Sequence, residues 1–295
     1  MSLPANRWGH SSKTRPRLWF IVLAVLILPG CNSFKFVYGF ADNMIESRAE
    51  DYLDLDSAQR AELEEQSAAL LAWHRREMLP KYATYFNAQA NLAKTGWARG
   101  QMRDAVVQFR TLMDETVKGA SPYIAHVLSG HMKAEKLAFL EARMADYVTE
   151  RRTEEEAESP EDSLEEWVER RAKAIARFTG PLNEKQLAII RSHTPARTDG
   201  SPRWLENREK RHAALIAFLR TQPSHEETAH FVYRIALRAH EITDGEYRDH
   251  SNAYWALLED VYFDVMATLT HEQRSKLISN LRGYASDMVD LSASS

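Results

Sequence analysis

The sequence predicts an all-α fold, an elongated multi-helix bundle behind a cleaved N-terminal signal. Three observations point there. Eleven Gly and ten Pro in 295 residues are too few for the turns of an all-β chain. Apolar residues recur at three- and four-residue steps over long segments, which gathers them on one face of a helix. No run of four or more residues alternates convincingly with turn signals on both sides. The composition is that of a globular chain, 44% hydrophobic and 27% charged. With 38 Lys+Arg against 42 Asp+Glu, the net charge is −4. That argues against a nucleic-acid partner, which a basic surplus would usually attract. The single Cys, Cys31, excludes both a disulfide framework and a Cys-based zinc site.

The first element is an address. Arg7, Lys13, Arg15 and Arg17 precede an unbroken apolar run from Leu18 to Leu28, and Pro29-Gly30-Cys31 follow. A positive head, a short apolar stretch and small residues at the break describe a secretion signal. A spanning helix needs roughly 20 apolar residues, and Pro29-Gly30 would end this one early. Leu28-Pro29-Gly30-Cys31 resembles the lipobox of bacterial lipoproteins, with Pro29 an uncommon residue at its place. That resemblance implies cleavage after residue 30 and acylation of Cys31, which attaches the chain to a lipid bilayer. Asn32 stands where lipoproteins retained at the inner membrane often carry Asp. The implied location is therefore the outer membrane, facing the periplasm. Loss of residues 1–30 removes four positive charges and no acid, taking the net charge from −4 to −8.

The mature chain then reads as helix after helix. A long one is expected from about Ser57 to Lys94, kinked or divided by Pro80. Gly96 and Gly100 bracket a turn. Ser121-Pro122 reads as a cap with Pro at the first helical position. Residues 123–148 place Ile124, Val127, Leu128, Leu137, Leu140, Met144, Tyr147 and Val148 on a helical stripe. Eight acids within residues 153–166, around Ser159-Pro160, read as a solvated connector. Loops are expected at 194–203 and at Gln222-Pro223-Ser224. Residues 254–269 and the segment carrying Leu277, Leu281, Tyr284 and Met288 are helical again. The implied organisation is a signal (1–30), an acylated N-terminus and tether (31–52), an N-terminal helical half (53–150), an acidic connector (151–163) and a C-terminal helical half (164–295). Continuous packing across the connector fits the sequence equally well.

Three segments share one pattern: Leu55-Asp56-Ser57-Ala58-Gln59, Leu182-Asn183-Glu184-Lys185-Gln186 and Leu269-Thr270-His271-Glu272-Gln273. Asp56, Asn183 and Thr270 can each accept from the backbone three residues on. Gln59, Gln186 and Gln273 can reach back to the cap's own N–H, while the preceding Leu packs as a staple. The pattern is thus three well-made helix starts. Leu-Thr-x-x-Gln is also similar to the repeated motif of the Spy and CpxP periplasmic proteins, helical cradle-shaped dimers that act as chaperones or stress modulators.

Trp73-His74-Arg75-Arg76 is the most unusual cluster. Trp73 lies on the stripe of Leu63 and Leu70 and is expected in the core. Arg75 and Arg76 then point outward, toward Glu77 or the acid of another helix. The functional alternative is a surface patch in which cation and aromatic groups bind a partner. Tyr38, Tyr52-Leu53-Asp54-Leu55-Asp56 with Gln59, Trp73-His74-Arg75-Arg76 and Leu79-Pro80-Lys81-Tyr82 follow the lipobox in order. Together they resemble a family of uncharacterised Gram-negative lipoproteins of similar length. That resemblance implies the fold and the address, and no activity.

No metal or cofactor is expected. His225 and His230 are five residues apart, as are His126 and His131; that spacing rotates the two rings by about 140° at 3.6 residues per turn. Zinc-binding helices need a spacing of four. His240, His250 and His271 stand alone. Ser129-Gly130-His131 lacks the strand–turn–helix setting of a nucleophile elbow, and no Gly-x-Gly-x-x-Gly loop occurs. The sequence therefore points to a membrane-anchored periplasmic lipoprotein that is not an enzyme. It would bind protein or envelope components through a helical surface, in one version as a chaperone. The alternatives are a structural accessory subunit of an envelope assembly and, further off, a cell-wall-active enzyme.

Overall fold

In the computed structural model, residues 33–157, 159–196 and 202–294 are described. The signal (1–30) and Cys31 lie outside them. Among the described residues the secondary structure is helical, with no strand. The helices are α1 (Ser33–Tyr38), α2 (Ala41–Glu50), α3 (Ser57–Trp73), α4 (Leu79–Leu92), α5 (Arg99–Ser129), α6 (Ala134–Ala157), α7 (Pro160–Thr179), α8 (Glu184–Ser192), α9 (Pro202–Leu219), α10 (His225–Leu237), α11 (Tyr247–Met266) and α12 (His271–Ala293). The chain is an all-α helical bundle. None of these helices is long and apolar enough to cross a membrane.

Apolar stripes sort the helices into three contiguous cores. The first joins Phe34 and Tyr38 of α1 to Leu79, Tyr82 and Phe86 of α4 and to Leu277, Leu281 and Tyr284 of α12. The second joins Leu63, Val127, Leu128, Leu137 and Leu140 to Ile216, Leu219 and Val232. The third lies between α7, α8 and α11 around Trp167, Ile190 and Val261. Helices α4 and α12 form the most extensive helix pair, followed by α5 and α10. Both pairs join residues before 150 to residues after 164.

Four sequence expectations change. The tether expected over 31–52 is helical from Ser33 to Glu50, apart from Gly39-Phe40. Phe34 and Tyr38 are 1% and 3% exposed, because their rings fill the core against Tyr284. The acidic connector is mostly helix, with α6 running to Ala157 and α7 starting at Pro160. Ser159 caps α7 by accepting from Asp162 N at 3.1 Å. Glu and Lys are good helix formers, and pairs such as Glu166–Arg170 and Glu169–Lys173 satisfy the charge locally. Ser121-Pro122 does not start a helix, since Pro122 lies inside α5. Ser121 Oγ instead donates to Val117 O at 2.7 Å, and Ala120 and Ala125 are buried on either side of the proline. The stripe over 123–148 is two helices, α5 ending at Ser129 and α6 starting at Ala134. His131 N bonds Leu128 O in the turn between them.

The long helix expected from Ser57 to Lys94 is present with one irregularity. Residues His74–Met78 form a π-turn between α3 and α4, and Leu79 N–H reaches back five residues to His74 O. Pro80 lacks an N–H and its ring would crowd the carbonyl four residues earlier in a regular helix. Widening the turn before it relieves that conflict.

Candidate functional site

The π-turn gathers the residues singled out in the sequence. Tyr38 Oη lies 2.8 Å from His74 Nδ1, with the two rings stacked at 5.8 Å. The Tyr82 ring lies 6.1 Å from His74. The Arg75 guanidinium sits 5.4 Å from the centre of the Tyr38 ring. Arg76 turns to solvent and pairs with Glu77 at 2.8 Å. Trp73 is half-buried and packs on α5, so close that a Cβ at Gly119 would stand 1.9 Å from its ring. Only glycine fits there. The cluster is therefore not one open patch: Trp73 packs, His74 is engaged by Tyr38, and Arg75 covers the ring that engages it.

Burial sets the protonation of this group. It pushes His74 down to about 4, with the Arg75 charge acting in the same direction. It pushes Tyr38 up to about 12 against the opposing pull of Arg75. Both groups are neutral at pH 7, and they share one proton across a hydrogen bond. Tyr82 is raised by burial as well. Thr116 Oγ1 spends its proton on Leu112 O at 2.9 Å. The 2.7 Å contact between Tyr82 and Thr116 therefore has the Tyr82 hydroxyl donating. The arrangement is a latch that fixes α1 to α3 and α4, and then to α5. Two neutral, mutually satisfied groups hold position well and transfer protons poorly near neutral pH.

The three Gln motifs do more than cap. Each box has both of its bonds: Asp56 with Gln59, Asn183 with Gln186 and Thr270 with Gln273. The free amide nitrogen of each Gln then ties its helix to another element. Gln59 Nε2 donates to Gly130 O at 2.7 Å. Gln273 Nε2 donates to Pro181 O at 2.8 Å. Gln186 Nε2 donates to Thr268 O at 3.2 Å. The second and third motifs meet face to face through their glutamines.

The histidines sit at several places in the fold. His126 pairs with Glu62 at 3.0 Å and meets His225 edge-on at 5.3 Å. His193 bonds Asp264 at 2.9 Å. His131 is buried, and its Nδ1 donates to Val127 O at 2.8 Å. No group of three His, Cys, Asp or Glu among the described residues is placed to hold a metal. Sequence reasoning missed Gly119 and Thr116 as members of the latch. A glycine in the middle of a 31-residue helix was the available signal.

No curated protein and no solved structure matches the chain. The family DUF6279, described as a family of unknown function, matches residues 51–237. That stretch holds the first two Gln motifs and the π-turn, and leaves Tyr38 and α12 outside. Because the match spans more than half of the sequence, the chain belongs to the DUF6279 family.

Proposed function

We propose that this protein is a lipid-anchored envelope protein, acylated at Cys31 and held at the outer membrane facing the periplasm. It works by binding protein or envelope components through its helical surface rather than as a catalyst. One observation carries the reading beyond the lipobox. Helix α1 starts at Ser33, two residues after Cys31, and docks at once into the core through Phe34 and Tyr38. On the same short stretch Phe36 is 66% exposed and Phe40 48% exposed, their rings in contact at 5.0 Å. Two adjacent exposed phenylalanines beside an acylated residue form an apolar foot that suits the headgroup boundary of a bilayer. The polar residues of the sequence motifs are spent on caps and the latch, which supports a binding role over chemistry at those positions. Metabolic labelling with an alkyne palmitate analogue tests the anchor. Label is expected on the wild-type chain and absent from Cys31→Ala. A wild-type chain that stays unlabelled with its first thirty residues attached overturns the reading.

A further inference from the structure

Three arginines, Arg48, Arg151 and Arg208, converge where α2, α6 and α9 meet. Arg208, on α9, is 8% exposed. Its guanidinium lies 4.4 Å from the Tyr147 ring centre and 5.4 Å from that of Trp204. Arg208 Nε is buried and meets no acceptor among the described residues. Arg48 of α2 and Arg151 of α6 are close enough to repel its charge, and Tyr52 and Tyr147 close enough to favour it. Arg151 bonds Glu154 through one terminal nitrogen, while its Nε is buried without an acceptor. Arg48 Nη1 bonds Asp51 at 2.8 Å. Arg211 is pushed down to about 10 by burial and then by Arg208. His212 is pushed down to about 4 by burial and by both arginines. The neighbouring Glu209 is turned away toward Arg152 at 2.9 Å.

Among the described residues, Asp51 answers Arg48 and Glu154 answers Arg151, while no carboxylate is among the groups that act on Arg208. Two aromatic faces offset part of the cost of burying its guanidinium. A buried cation without a counter-charge is costly, so chains avoid the arrangement unless something anionic completes it. Arginine is suited to that partner: its planar donors match the oxygens of phosphate and carboxylate groups in pairs. The phenols of Tyr52 and Tyr147 add neutral donors beside the cations.

We propose that this arginine cluster binds a phosphate-class oxyanion, with Arg208 and Arg151 as its principal donors and Arg48, Tyr52 and Tyr147 around it. The site is independent of the anchoring at Cys31. The same chemistry is presented by a free phosphate and by the headgroup of an anionic phospholipid.

The test is calorimetric titration of the purified full-length chain at constant ionic strength. One arm uses inorganic phosphate and the other dihexanoyl phosphatidylglycerol below its micelle concentration, with dihexanoyl phosphatidylcholine as control. Saturable binding of phosphate assigns a free anion; binding of phosphatidylglycerol alone, at least tenfold tighter than phosphatidylcholine, assigns a headgroup. Arg208→Met keeps the length of the stacked chain and removes the charge, and is expected to weaken binding at least tenfold. If that variant fails to fold, Arg151→Gln, whose residue is less enclosed, carries the comparison with the same expectation. Two outcomes overturn the proposal: no binding in either arm, or equal binding by wild type and the folded variants.

Discussion

Gln186 and Gln273 hold each other side chain to side chain across 87 residues of sequence. Each amide nitrogen donates to the other's carbonyl oxygen, at 2.8 and 2.9 Å. Each of those oxygens also accepts from the backbone of its own cap. Gln186 is fully buried and Gln273 is 8% exposed. The pair joins the starts of α8 and α12 into one polar network inside an apolar setting.

Truncating either glutamine therefore costs more than a cap. Gln273→Ala leaves the Gln186 amide and Pro181 O without their donor or acceptor, and is expected to lower stability by about 2–3 kcal/mol. Thr270→Ala removes one bond and should cost about 1 kcal/mol. The double variant Gln186→Ala/Gln273→Ala should lose clearly less than the two single losses added. Urea unfolding of the four proteins checks this; additive losses would show that the pair is not a unit.

Gly119 and Gly100 should respond oppositely to the same change. Gly→Ala within a helix ordinarily stabilises by about 0.4–1 kcal/mol. Gly100→Ala, with open space around its Cβ, should be neutral or slightly stabilising at the start of α5. Gly119→Ala must push the Trp73 ring away and is expected to cost about 2–4 kcal/mol. Combining Gly119→Ala with Trp73→Leu should recover part of that loss. Thermal unfolding compares them, and a harmless Gly119→Ala would contradict the packing described for Trp73.

Acid should loosen the latch. His74 has a folded-state pKa of about 4 against 6.5 when free. The unfolded chain therefore takes up a proton first as pH falls. The stability this group contributes is complete above pH 6.5, declines below it and is lost near pH 4. The groups facing it are Tyr38, Tyr82 and Arg75, and burial raises both tyrosines away from that window. His212 runs in the same direction over the same range. Denaturant midpoints between pH 7 and pH 4 should fall for wild type and fall less steeply for His74→Gln. Tyr38→Phe should raise amide exchange over residues 33–38 at pH 7.

The apolar foot predicts where bilayer contact occurs. A Trp introduced at Phe36 of the acylated chain should be quenched by brominated lipid in vesicles. A Trp at Phe139, an exposed position on α6, should not. Equal quenching at both sites would mean that the body does not rest on its N-terminal side.

A chaperone role makes a separate prediction. The full chain, kept in dilute detergent, should slow aggregation of a chemically denatured test protein at equimolar ratio. No delay at tenfold excess would remove the chaperone version and leave the binding role standing.

Local chemistry was readable in the sequence and distant chemistry was not. The Asp56–Gln59, Asn183–Gln186 and Thr270–Gln273 caps span three residues, so spacing alone announces them. The long helix around Pro80 was visible in its stripe, and the proline marked where it becomes irregular. Pro122 breaks the same local rule, lying inside α5 between buried neighbours. The acids of 153–166 suggest solvated chain, yet Glu is also a helix former, and Ser159-Pro160 is break enough. Tyr38 against His74, Trp73 against Gly119, and Arg48, Arg151 and Arg208 beside Tyr52 and Tyr147 arise from folding the chain back on itself. Nothing in one-dimensional spacing distinguishes an arginine that will be enclosed from one that will face water.

The π-turn at His74–Met78 gives the long helix one residue of slack. Elsewhere in α3 or α4 a one-residue deletion would swing every later side chain by about 100° about the axis, turning Tyr82 and Phe86 off α12. Loss of one residue within the π-turn would instead shrink it to an ordinary turn and keep both flanks in phase. Pro80 opposes that contraction, because its ring sits more easily after the wider turn. The proline thus acts as a wedge that keeps the spare residue from being reeled in.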